Sequence, residues 1–203
     1  METRAPTERT RVRRLPDRGA YDRETIFAIL DTGFVCHVGI VDGGSPVVIP
    51  TAYARVGDDV IVHGSAKSRM LTVLGGGAPA CVTVTHVDGF VMARSAFHHS
   101  INYRSVVIFG RGEAITEERA KNEALYAFME RLHPGRWDKV RVPNSQELKA
   151  TVVVRIPIEE ASAKLRAGGP LDDPEDMTLD VWAGVVPLVT SRATPIPDVA
   201  HAT

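Results

Sequence analysis

A mainly β chain closed into an antiparallel barrel is the fold the sequence predicts. Three observations carry it. Short β-rich segments follow one another with few helices between them, turn signals separate the first of them at the spacing of a meander, and Asp88-Gly89 supplies a strong two-residue hairpin signal. The regular strand and helix alternation of a parallel sheet is absent, and so are repeats and low-complexity blocks.

The elements follow in order. A short helix starts after Asp22, an N-cap residue, and turns Ile26, Ile29 and Leu30 to one side. Phe34 to Val41 reads as a strand running into Asp42-Gly43-Gly44-Ser45; Pro46 to Ala54 and Val60 to His63 continue the meander around Gly57-Asp58. Ser65 to Leu74 reads as a helix stopped by the glycines at 75–77. Ala80 to His86 and Phe90 to Ser95 read as a hairpin across Asp88-Gly89. A long strand from Asn102 to Ala114 precedes a helix capped by Thr116 and ended by Pro134-Gly135. Asn144 with Glu147 predicts a capped short helix, and Thr151 to Ile158 a last β-branched strand.

The chain divides into an Arg-rich arm over 1–19 without hydrophobic period, read as flexible, one domain over 20–190, and a tail over 191–203. At 203 residues one substantial core is expected, and 44% apolar with 24% charged residues is a globular composition. A net charge of −1 gives no reason to expect nucleic acid. Cys36 and Cys81 lie in apolar runs and read as buried thiols. No apolar stretch reaches membrane-span length, and the arm's arginines precede no apolar leader segment, so a cytoplasmic protein is the default expectation.

Four places could carry chemistry. His63-Gly-Ser-Ala-Lys-Ser-Arg-Met70 ends a strand and opens a helix, so Lys67, Ser68 and Arg69 converge where a phosphate would fit; solvated first-turn cations are the bland alternative. Pro50-Thr51 requires a strand edge or bulge, against which a flat ligand could lie. His98 and His99 point to opposite faces of an extended chain and cannot easily share one metal, so no metal site is expected. Asn102, Arg104 and Ser105 follow them. His37, His63 and Trp182 are the remaining singular side chains. No P-loop, GxGxxG, GxSxG or HExxH motif is present.

The segments RLPDRGAYD, ILDTGFVCHVG, IPTAYAR, HGSAKSRM, DGFVMARSAFHHSINYRSVVIFGRG, HPGRWDKVR, ELKAT and VWAGVVPL occur in that order over residues 13 to 190. Together they resemble the pyridoxamine 5'-phosphate oxidase-like superfamily, in its flavin-nucleotide-binding branch related to nitroimidazole-resistance reductases. The resemblance implies a six-stranded split barrel, a homodimer with interface cofactor sites, and FMN as cofactor. It places Lys67, Ser68 and Arg69 on the phosphate, Pro50 and Thr51 along the ring, and His63 near the ring. Asn102, Arg104 and Ser105 become the opposing subunit's contribution, and Trp182 approaches the ring edge. It further implies a flavin-dependent oxidoreductase acting on a small organic molecule such as a nitro compound or quinone, with His63 as the catalytic proton donor; packing in the dimer interface is the alternative for that residue. The arginine that vitamin B6 oxidases carry after their C-terminal tryptophan is replaced here by Ala183-Gly184-Val185-Val186, so pyridoxamine phosphate oxidation is not expected. Two alternatives stay open: a non-catalytic flavin or haem carrier, since a pair of histidines near an interface pocket could offer an axial ligand, and a deazaflavin reductase whose polyanionic cofactor tail would use the arm's arginines.

Overall fold

The structure, a computed structural model, describes residues 5–198. Glu2 and Arg4 of the arm and residues 199–203 of the tail lie outside the described residues. The described residues form two compact units, one from 5–86 together with 103–166, the other from 87–102 together with 167–198.

In the larger unit β1 (Gly19–Ala20) leads to α1 (Arg23–Thr32), whose N-cap Asp22 accepts from the Thr25 N–H at 2.8 Å. Ile26, Ile29 and Leu30 are its buried face, as the spacing predicts. β2 (Val35–Asp42) and β3 (Ser45–Ala52) form a tight hairpin, Asp42 opposite Ser45. Gly43 and Gly44 hold φ of 56° and 81°, the left-handed pair that such a two-residue turn needs. β4 (Ala54–Val56), β5 (Asp59–Ser65) and α2 (Arg69–Gly75) follow, and Gly77 at φ 80° supplies the left-handed residue that closes α2. The next elements are β6 (Pro79–Met92), β7 (Ser100–Arg111), β8 (Glu113–Ile115), α3 (Glu118–Leu132), α4 (Ser145–Ala150), β9 (Thr151–Pro157) and β10 (Glu160–Arg166). β11 (Gly184–Pro187) lies in the smaller unit.

All strand pairs with a described register are antiparallel. One sheet runs β1-β10-β7-β6-β2-β3 with β11 added to β6; the other runs β4-β5-β9-β8. Val38 and Ile40 of β2, Val82 and Val84 of β6, and Val106 and Ile108 of β7 meet Val60 and Val62 of β5 and Val154 and Ile156 of β9 in one core, with Leu71 and Leu74 of α2. The predicted mainly β antiparallel fold is therefore observed, with eleven strands among the described residues rather than six. Tyr53, fully buried, donates its hydroxyl to the Leu30 carbonyl at 2.5 Å, and Arg131 from α3 donates to the Leu30 and Gly33 carbonyls. The C-terminal carbonyls of α1 thus find donors.

Four expectations are corrected. Asp88-Gly89 is no hairpin: β6 runs through it as one strand of 14 residues, and Gly89 is not among the glycines with positive φ. Its missing side chain serves a close approach instead, because a Cβ there would lie 2.9 Å from the Val186 carbonyl oxygen of β11. The cap of α3 is Glu117, which accepts from the Arg119 and Ala120 N–H groups, rather than Thr116. The predicted strand to Ala114 breaks at Gly112, where a Cβ would sit 2.5 Å from the Leu74 carbonyl oxygen. β10 was not anticipated: Glu-Ala-Ser-Ala-Lys-Leu-Arg has no β-branched residue, yet its period of two turns Ala161, Ala163 and Leu165 to the core. The arm lies against β10, with Thr7 and Arg9 bonded to Glu160, Lys164 donating to the Arg14 carbonyl at 3.1 Å, and the Val12 N–H donating to Tyr21. No helix is long and apolar enough to cross a membrane among the described residues.

Candidate functional site

The turn after β5 is largely satisfied by its own chain. The Ser68 hydroxyl caps α2 by accepting from the Leu71 N–H, the Ala66 N–H donates to the Ala150 carbonyl at 2.9 Å, and the Lys67 N–H donates to the Ser65 hydroxyl. Arg69 is paired with Asp42, 3.2 Å away at the end of β2. Lys67 is exposed, and its ammonium has no ion pair among the described residues. An anion at this turn meets Lys67 directly and must compete with Asp42 for Arg69.

Pro50 lies on the sheet-edge strand β3, as its missing N–H requires. Register separates it from Thr51. Pro50 sits opposite His37 on the outer face, and Thr51 opposite Cys36, which is fully buried. Val35, Val41 and Val48 share the outer face with Pro50 and are 53%, 63% and 64% exposed, so a flat apolar surface is open there.

His63, opposite Val153 on β9, has its own surroundings. Val60 and Val62 enter the main core, whereas Ile61 packs with Ala124 and Val153 on the side of α3, and His63 follows Ile61 by the strand's period of two. The imidazole stands edge-on to Phe128, ring centres 4.4 Å apart. It borders a recess of about 390 Å³ walled by Leu125, Phe128, Met129, Leu132, Trp137 and Pro143, with Glu147 and Thr151 as its polar members. Nδ1 is fully buried without a hydrogen-bond partner, and burial holds the pKa below the ordinary histidine value. The group is a neutral imidazole at neutral pH.

Within the larger unit, Arg104 and Ser105 do not join these. Arg104 and Ser105 are neighbours on β7 and so point to opposite faces. Arg104 borders a shallow hollow with Glu24, Thr25 and Ala28 of α1, while the Ser105 hydroxyl donates to the Lys164 carbonyl at 3.2 Å beneath the arm. Asn102 and Trp182 belong to the smaller unit. Asn102 is buried and donates to the Gly168 carbonyl at 3.1 Å, and Trp182 is 65% exposed. There too His98 pairs with Asp173 at 3.0 Å, which raises its pKa, while His99 Nδ1 bonds the Ser95 carbonyl. The adjacent histidines thus take separate partners.

Two groups of residues escaped the sequence reading. The recess wall was legible in principle, since Leu125, Phe128, Met129 and Leu132 follow the i, i+3, i+4, i+7 spacing of a helix stripe. Ser162 and Lys164 were hidden with the strand that carries them.

The family model described as pyridoxamine 5'-phosphate oxidase matches residues 22–165. No curated protein matches. Among solved structures, the flavocytochrome Anf3 from Azotobacter vinelandii is 43% identical with a TM-score of 0.91, over 96% of this chain and 91% of that one. The FAD and haem binding protein from Mycobacterium smegmatis is 42% identical with a TM-score of 0.86, over 92% of both chains. A candidate 5-nitroimidazole antibiotic resistance protein from Bacteroides thetaiotaomicron shares the fold at 22% identity and a TM-score of 0.58, over 72% of this chain and 85% of that one.

Proposed function

The chain belongs to the pyridoxamine 5'-phosphate oxidase family, and from that premise we propose that it is a redox protein that holds both a flavin nucleotide and a haem. The observation that carries the reading is His63: a neutral imidazole at the edge of a largely apolar recess, whose Nδ1 is sealed in the protein and which therefore has Nε2 to offer a ligand. Burial disfavours the protonated form an acid would need, and it leaves a neutral nitrogen base of the kind that would hold a haem iron. The names of the Azotobacter flavocytochrome and the mycobacterial FAD and haem binding protein support extending both groups to this chain.

In this reading His63 would hold the haem iron, Phe128 would fix the imidazole plane by its edge-on contact, and Leu125, Met129, Leu132 and Trp137 would keep water from the group. Lys67 would neutralise the flavin phosphate, and Arg69 would join it by giving up Asp42. Pro50 and Val48 offer the apolar surface for the ring, and the same outer face of β2 and β3 is where we place a second copy of the chain in a homodimer. Bound, the flavin supplies one- or two-electron redox chemistry and the haem one-electron chemistry. The sequence expectation of FMN becomes, in this proposal, a flavin nucleotide accompanied by haem, with a small organic molecule as the two-electron partner. Oxidation of pyridoxamine phosphate is not part of it, because Gly184 to Val186, in place of the vitamin B6 oxidase arginine, are committed to pairing with β6.

The absorption spectrum of the protein purified from haem-sufficient cells tests this. Flavin bands together with a Soret band are expected, each near one equivalent per chain. Flavin bands alone after haemin addition would remove the haem, and neither set would remove the proposal.

A further inference from the structure

A groove of about 360 Å³ lies between the N-terminal arm and the face of β7 and β10 that turns away from the core. Register builds its floor. Ser162 pairs with Val107 and Lys164 with Ser105, so these four share one face, while Ala161, Ala163 and Leu165 of the same strand turn inward. Arg9, Arg11, Arg13 and Arg14 form the wall. Two of these are neutralised, Arg9 by Glu160 and Arg13 by Glu8. Arg11, Arg14 and Lys164 have no acidic partner among the described residues; the Lys164 ammonium donates to the backbone carbonyl of Arg14. Ser162 is only 8% exposed, and its hydroxyl has no hydrogen-bond partner among the described residues.

Three cations without an acidic partner and a hydroxyl that faces the same groove describe an anion site, because like charges gathered at one place repel until an anion with several acceptor oxygens meets them. We propose that this groove binds the phosphate groups of a nucleotide, with Arg11, Arg14 and Lys164 on the phosphoryl oxygens and Ser162 donating its hydroxyl. Guanidinium forks match phosphoryl oxygens in pairs. The nucleotide is either the diphosphate tail of a bound flavin dinucleotide, which rests on the flavin reading above, or a separate nucleotide, which does not.

Calorimetric titration with ADP tests this on the protein without added flavin and on the protein saturated with FAD. ADP binding to both forms identifies a separate nucleotide. Binding to the flavin-free form alone, with FAD held more tightly than FMN, identifies the flavin's own tail. In both cases the Arg11→Ala/Arg14→Ala variant should weaken ADP at least about tenfold, the loss expected for charge-assisted contacts, and Ser162→Ala about threefold to tenfold. Absence of ADP binding at millimolar concentration, or equal binding in wild type and both variants, overturns the proposal. Failure of FAD and FMN to bind while ADP behaves as described would remove the flavin reading and leave the groove standing.

Discussion

Replacing His63 by leucine should stabilise the cofactor-free protein and flatten its response to acid. The imidazole is half-buried against Phe128 with Nδ1 sealed and unpartnered. Such an orphaned polar atom costs about 1–3 kcal/mol, and a leucine facing Leu125, Phe128 and Leu132 removes that cost, so a gain of about 1 kcal/mol at pH 8 is expected. Burial keeps the folded-state pKa of His63 below its ordinary 6.5, so as pH falls the unfolded chain takes up the proton first and wild-type stability is lost on the acid side of about 6.5. Were the folded imidazole to stay neutral throughout, the loss from pH 8 to 5.5 would reach about 1.4 kcal/mol, an upper bound that solvent at the open edge of the ring lowers. Urea unfolding of both apoproteins at pH 8, 6.5 and 5.5, followed by tryptophan fluorescence, measures the difference, in which the other histidines cancel. A leucine variant less stable than wild type by more than about 1 kcal/mol at pH 8, with an unchanged acid slope, would show that the imidazole is a satisfied structural group and refute the reasoning.

Four further outcomes are expected. Asn144→Ala should cost about 1 kcal/mol in urea unfolding, because Asn144 and Glu147 form a reciprocal capping box at the start of α4. The Glu147 carboxylate, held down to about 2 by Arg141 and the Asn144 N–H, adds stability that is full above its ordinary 4.5 and lost as pH falls toward 2; an acid titration of α4 amide exchange reads it. Gly89→Ala should lift β11 from β6, since the new Cβ meets Val186 and Val185 at 2.9 Å and 3.0 Å, and the Leu188 amide, bonded to the Asp88 carbonyl, should lose exchange protection. Lys67→Ala should weaken FMN about tenfold and leave riboflavin unaffected; equal losses would make the turn purely structural.

How far the sequence was legible follows from where the physics is local. Asp22, the Asn144-Glu147 box and Gly77 act through backbone groups a few residues away, and the β-branched runs of β2, β5 and β9 carry their own preference. Gly89 misled because one residue type serves two ends: local turn chemistry favours a hairpin there, and the close approach of β11, nearly 100 residues later, settles it otherwise. β10 was missed because helix-forming Ala, Lys and Glu are held as a strand by their pairing with β7. At the site, the order His63, Lys67, Ser68, Arg69 was readable. That Arg69 faces Asp42, that Pro50 and Thr51 take opposite faces, and that the arm's arginines stand over Ser105 and Ser162 depend on register between distant strands.

The claim that His63 is the iron ligand beside a separately held flavin is tested most directly by haemin titration of flavin-saturated wild type and His63→Gln. Glutamine keeps a polar side chain of similar reach and offers no imidazole nitrogen. Wild type should take up one haem per chain with a sharp Soret band, while the variant keeps its flavin bands and fails to develop that Soret band at the same haemin concentration. An unchanged Soret band in the variant, with turnover of a quinone or nitro compound reduced about a hundredfold, would contradict the account and return His63 to the proton-donor role the sequence resemblance implies.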